Sequence, residues 1–257
     1  MINKQKTIFS VFGFLLAVLS LTACAEKIPK QLANTLPVKV YSGLQLGALL
    51  NQAITSNNVA DIKTMLNKDW YSAVNVKSLK LPGSTYAIKS CTEYFKLVDK
   101  ALTTVRENES SAFAEFVLMC QAAKVIIEAK PSKHSFLDDL KFDKKLPNKL
   151  PKQIAMVIST TESKRLNENS KLVSWGDVNK INKVDVINNV KAIYHHQGST
   201  QEIELMAKGD FNNDGIEDML VSSRDSVVGG SYNALRVYQV TKLNHQAGLE
   251  VINEISD

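Results

Sequence analysis

Residues 209–221 read Gly-Asp-Phe-Asn-Asn-Asp-Gly-Ile-Glu-Asp-Met-Leu-Val, with acidic and amide side chains at alternate positions around one glycine. Counting Asp210 as position 1 puts Asn212 at 3, Asp214 at 5, Ile216 at 7 and Asp218 at 9. Side-chain oxygens at 1, 3, 5 and 9, with the Ile216 backbone carbonyl at 7, are donors suited to a hard cation. Their flexible spacing fits calcium better than strictly octahedral magnesium. Gly215 at position 6 can take the positive φ that a sharp turn requires. The expected ligand set is therefore Asp210, Asn212, Asp214, Ile216 and Asp218, and the expected cofactor is calcium. A structural role is expected, because protein oxygens fill the coordination sites and no neighbour suggests a general base. Glu217, at position 8, is expected to face solvent. The competing reading is a turn without an ion, since Asn-Asp-Gly is also turn chemistry.

Position 12 is Val221, so the bidentate glutamate of an EF-hand is missing, and the exit reads as a strand. The loop resembles the D-x-[DN]-x-D-G-x-x-D calcium loops of FG-GAP and VCBS-type repeats over about 13 residues. That resemblance implies a calcium site on these five positions and no activity. The repeats of those families build propellers, whereas the loop occurs here once. The echo Gly-Asp-Val-Asn-Lys-Ile-Asn-Lys-Val-Asp at 176–185 has Ile181 in place of the third carboxylate. A single sheet with one calcium-clipped hairpin is expected. With Gly-Gly-Ser-Tyr following at 229–232, the stretch also resembles the C-terminal part of bacterial envelope lipoproteins.

Other chemistry is sparse. His195 and His196 are adjacent, so on a strand they face opposite sides and cannot chelate together. There is no His-Glu-x-x-His, Gly-x-Ser-x-Gly or Ser-x-x-Lys, and no glycine-rich phosphate loop. Trp70-Tyr71 and Trp175 are read as core or as the wall of a glycan site. A dispersed carboxylate pair of the hydrolase kind leaves no sequence motif.

The N-terminus gives an address. Lys4 and Lys6 precede an apolar run at 7–21, which ends in Leu21-Thr22-Ala23-Cys24. This is secretory-signal architecture, too short for an ordinary spanning helix. The last four residues resemble a bacterial lipobox, which implies cleavage before Cys24, acyl chains on that cysteine and, with Ala25 following, an outer-membrane location. A plain cleaved signal peptide is the alternative. Removing residues 1–23 takes two of the 31 basic residues and none of the 26 acidic ones, leaving +3. So mild a charge does not indicate a nucleic-acid binder.

Cys91 and Cys120 remain, in an oxidising compartment where they form a disulfide or stay as two buried thiols. Apolar residues at three- and four-residue spacing predict helices over 44–55, 59–66, 91–105 and 111–129. The polar stretch 106–110 makes the last two an antiparallel helical hairpin. In ideal geometry the cysteines then miss by about 7 Å along the axis, a gap that a crossing angle or a frayed first turn would close. Further helices are expected at 136–142 and 151–160. Residues 133–152, where lysines outnumber aspartates, read as a solvated face or a docking patch for an acidic partner or anionic headgroups. From Val184 the period changes to two, giving strands up to the C-terminus with turns at 196–199 and 229–231.

The expected organisation is a signal peptide at 1–23, a tether at 24–43, a helical domain at 44–168 and a β-rich domain at 169–257, hence α+β. The expected function is that of a lipid-anchored envelope protein, periplasm-facing or surface-exposed, that binds another protein without catalysis. The alternative is a cell-wall or glycan-directed hydrolase or binder.

Overall fold

A computed structural model describes residues 35–41, 49–51, 58–137 and 140–255. The lipobox with Cys24, and most of the helix expected at 44–55, lie outside the described residues. The described residues all fall within one compact unit.

The fold centres on an antiparallel meander of β5 (Lys183–Asn188), β6 (Lys191–His196), β7 (Ser199–Gly209), β8 (Asp218–Val227), β9 (Asn233–Thr241) and β10 (Glu250–Ile255). β1 (Lys39–Val40) pairs with the far end of β7, Lys39 opposite Lys208. The β6–β7 turn has positive φ at both Gln197 and Gly198, the two-residue geometry that matches strand twist. A bulge between Leu205 and Ala207 interrupts the alternation of β7, so Met206 and Ala207 both join the same core.

Helices and a small sheet cover one face of the meander. β2 (Val74–Ser78) lies between β3 (Thr85–Ile88) and β4 (Leu102–Thr104). Around it stand α1 (Val59–Met65), α2 (Cys91–Phe95) and α3 (Ser110–Glu128). α3 is long and apolar enough to cross a membrane, but half of it is buried inside the protein. Phe116, Leu118, Met119 and Ala123 sit in one core with Val76, Ile88, Leu220 and Val237. Trp70 stacks on Phe116 at 4.1 Å.

A largely irregular segment covers the other face, with short helices α4 (Thr160–Glu168) and α5 (Trp175–Val178). Phe142, Leu146, Leu150, Ile154 and Trp175 form a second core with Tyr194, Ile203, Met219 and Tyr238. Strand β8 is therefore covered on both faces, and Met219, Leu220 and Val221 are all buried.

The expected α+β arrangement with a helical N-terminal part is corrected: among the described residues the structure is mostly sheet, and residues 91–129 form no helical hairpin. Helix α2 stops at Phe95, Ala101 reverses the chain at φ 48°, and Leu102–Thr104 pairs with β2. The apolar spacing over 91–105 is real, but Thr103, Thr104 and Val105 are β-branched and fit a strand better than a helix. The expected helix at 151–160 is a single 3-10 turn, Lys152–Ile154, and the α-helix begins at Thr160 behind its Ser159 cap. No helix forms among the described residues of 136–142. Within the stretch expected as tether, Lys39–Val40 pair with β7, and Leu36 exchanges backbone hydrogen bonds with Ser132 at 2.8 and 2.9 Å.

The disulfide is present. Cys91 at the start of α2 and Cys120 inside α3 are joined with their Cα atoms 5.4 Å apart. The expected axial mismatch disappears because the five-residue α2 is free to lie where its first turn meets α3.

Candidate functional site

The aspartate loop connects β7 to β8 and is ordered by its own side chains. Asp210 accepts the Asp214 and Gly215 amides, at 3.1 and 2.9 Å. Asn212 Oδ1 accepts the Asp214 amide at 3.1 Å, and Asp214 Oδ1 accepts the Ile216 amide at 2.7 Å. Asp218 Oδ2 accepts the Phe211 amide at 3.0 Å. Gly215 takes the expected positive φ, 86°, and Asn213 also lies in the left-handed region at 66°. A Cβ at position 215 would make ordinary contact with the Lys133 stem at 3.4 Å, so an alanine there would be strained by the backbone φ and not by crowding.

These bonds bring the sequence-derived residues into one turn without closing them into a cage. Among the described residues, no three His, Cys, Asp or Glu side chains converge as a ready metal group. The amides still leave acceptor capacity, because each carboxylate oxygen has more than one lone-pair site. Asn212 and Asp214 are exposed, whereas Asp210 is buried and Asp218 has no exposed surface. Asp218 Oδ1 and the Thr241 hydroxyl on β9 are both buried without a close hydrogen-bond partner, and the hydroxyl lies near enough to the carboxyl to act on it. Burial pushes the Asp218 carboxyl up to about 6; the Thr241 hydroxyl and Phe211 amide oppose the rise, and the Asp214 and Asp210 charges add to it. The carboxyls of Asp218, Asp210 and Asp214 are hard oxygen donors of the kind that calcium takes, and they share one turn without converging on a common point.

A strap at 130–135 also holds the loop, with no trace in the local sequence pattern. Lys130 and Asp210 exchange backbone hydrogen bonds at 3.0 Å, and the Gly215 carbonyl accepts the Lys133 and His134 amides at 2.7 and 3.1 Å. The Glu217 amide donates to the His134 carbonyl at 2.8 Å. The expectation that Glu217 faces solvent is corrected: it is buried, and Ser135 Oγ donates to its Oε2 at 2.7 Å. A contact spanning 82 residues leaves no local periodicity to read.

The other sequence candidates separate. His195 Nε2 lies 2.8 Å from Asp185 Oδ2. His196 is buried on the opposite side with Nε2 unpartnered, and burial holds its pKa below the ordinary histidine value. Trp70 and Trp175 are core. The Trp175 indole donates to Gln201 Oε1 at 2.7 Å.

A second polar assembly lies at the opposite end of β8 and was missed in the sequence. Asp225, fully buried, accepts from the Ser223 hydroxyl at 2.7 Å, Gln201 Nε2 at 3.0 Å and Arg236 Nη1 at 2.7 Å. Arg236 Nε is 3.8 Å from Glu254. The guanidinium and Glu254 line a recess of about 450 Å³ together with Ser159, Thr160 and Ser163. Asp225 is held by Arg236, Gln201 and Ser223, while Glu254 stays partly exposed beside the guanidinium. Only the period-two placement of Gln201, Ser223, Asp225 and Arg236 on strands could have flagged them.

No family model matches the chain, and neither a curated protein nor a solved structure matches it.

Proposed function

We propose that this chain is a lipid-anchored cell-envelope protein whose aspartate loop binds calcium as a structural clip, and that it acts as a non-enzymatic binding module for another protein. The observation that carries the calcium reading is Asp218 Oδ1, sealed from solvent with the Thr241 hydroxyl near it and no close hydrogen bond. A calcium ion on Asp210, Asn212, Asp214, the Ile216 carbonyl and Asp218 supplies a close partner and balances the carboxylates. Its role is mechanical. The loop is bonded to the 130–135 strap, the strap to Leu36, and β1 follows immediately. The ion therefore tightens the place where the N-terminal segment joins the sheet.

The envelope address rests on the resemblance of Leu21-Thr22-Ala23-Cys24 to a lipobox. The Cys91–Cys120 bridge supports it, because disulfides persist in oxidising compartments. Acyl chains on Cys24 would hold the protein at the outer membrane without a spanning helix. The binding role is supported by the engagement of Asp225 at the Arg236 recess.

The hydroxyl-lined recess itself favours a second reading, a cell-wall or glycan binder. One experiment separates the two: pull-down of the native protein from detergent extracts, with and without chelator. A protein partner retained only with calcium supports the first reading, and recovery of peptidoglycan fragments alone contradicts it. The anchor has its own test. Cys24→Ser should release the protein from membranes, and continued membrane association would contradict lipidation.

A further inference from the structure

The β2–β3 hairpin ends in a rigid, apolar and basic tip. Three aliphatic side chains that a core would normally hide stand in water here: Leu79 is 65% exposed, Leu81 47% and Val98 45%. They share one locality, because the Leu79 and Lys80 amides donate to the Ala101 and Lys100 carbonyls at 2.9 and 3.4 Å. Val98 begins the 3-10 turn that ends at Lys100. Ser78 fixes the tip: its hydroxyl donates to the Lys100 carbonyl at 2.9 Å and accepts the Lys80 and Leu81 amides at 3.2 and 3.0 Å. Pro82-Gly83 closes the turn, with Gly83 at φ 84°. A backbone so held does not need to be ordered again on docking, which lowers the entropic cost.

Charge names the occupant. Lys77 and Lys80 flank Leu79 in sequence and Lys96 precedes Val98 by two residues, all three exposed, and Lys100 lies half-buried with its ammonium 5.6 Å from the centre of the Tyr86 ring. Over residues 77–101, all of them described, Asp99 is the one exposed acid and Glu93 is half-buried. Leucines at a tip with lysines around them match a bilayer surface in two ways. The aliphatic groups enter the boundary between headgroups and acyl chains, and the ammonium groups stay among anionic headgroups.

We propose that the Leu79–Leu81 hairpin tip docks on the anionic phospholipid surface of the membrane. The proposal goes beyond the acyl anchor. An anchor fixes distance only, whereas the tip sets which face of the protein meets the bilayer.

The test places a tryptophan reporter at the tip of the full chain. Trp70 and Trp175 are 2% and 0% exposed, so the native indoles provide a constant background. Leu79→Trp and, as a control, Val173→Trp (Val173 is 72% exposed) are reconstituted into vesicles with brominated acyl chains. One vesicle set contains phosphatidylglycerol and the other phosphatidylcholine alone. The added indole of Leu79→Trp should be quenched in the anionic vesicles at least twofold more than in the zwitterionic ones. That of Val173→Trp should be unaffected, and Lys77→Gln/Lys80→Gln/Lys96→Gln should abolish the difference. Leu81→Trp provides an independent reporter of the same tip. No quenching at position 79, or equal quenching at 79 and 173, overturns the proposal. So does protection of the Leu79→Trp indole from a water-soluble quencher in cell envelopes without quenching by bromolipid, which would indicate a protein partner. Flotation of the same variants with vesicles reports the anchor separately, so failure of the anchor and failure of the tip give different results.

Discussion

Asp218 accepts the Phe211 amide at 3.0 Å through one carboxylate oxygen, while its other oxygen is sealed from solvent with no close hydrogen bond. Without a cation, that arrangement favours the protonated acid. The folded carboxyl is raised to about 6 from an unfolded value of about 3.9. The contribution of this group is therefore complete below about pH 4 and is lost as pH rises through 6. In metal-free buffer, the stability of the wild type relative to Asp218→Asn should fall by on the order of 2–3 kcal/mol between pH 4 and pH 7. Saturating calcium should remove that fall. Urea unfolding across the range measures it, and a difference that does not change with pH would contradict the assignment.

The strap offers a second handle. Ser135→Ala deletes the hydroxyl at 2.7 Å from Glu217 Oε2 and leaves a buried carboxylate without that donor. The expected cost is about 1–3 kcal/mol. Backbone amides of Lys133 and His134, which donate to Gly215, should exchange faster with solvent in the variant. Unchanged exchange there would mean that the side-chain bond does not hold the strap.

The Cys91–Cys120 bridge closes a segment of 29 residues. Cys91→Ser/Cys120→Ser should lower the unfolding free energy by on the order of 3–4 kcal/mol in the chain-entropy picture. Fluorescence-detected urea titration gives the number, and a loss below 1 kcal/mol would contradict that picture.

What could be read in the sequence divides by the range of the interaction. The strands from Val184 onward and the turn at Gln197-Gly198 carry their own period and turn residues, so they appear in the fold where they were expected. The 111–129 helix did too, as α3. Residues 91–105 misled because Tyr94, Phe95, Val98, Leu102 and Val105 satisfy helical spacing while the pairing of Leu102–Thr104 with β2 lies more than twenty residues away. At the candidate site, the aspartates and Gly215 announce a turn. The buried state of Glu217 and the sealed oxygen of Asp218 depend on Ser135 and on β9, which local pattern cannot supply. The Asp225–Arg236 pair was hidden for the same reason: its partners Gln201 and Ser223 come together only across strands.

The central claim, that calcium completes the aspartate loop, is tested most directly by melting the metal-stripped protein in chelator and again in millimolar calcium. The account predicts a higher melting temperature with calcium, a smaller or no effect of magnesium, and no calcium response in Asp214→Ala or Asp218→Asn. Superimposable melting curves of the wild type with and without calcium would contradict it.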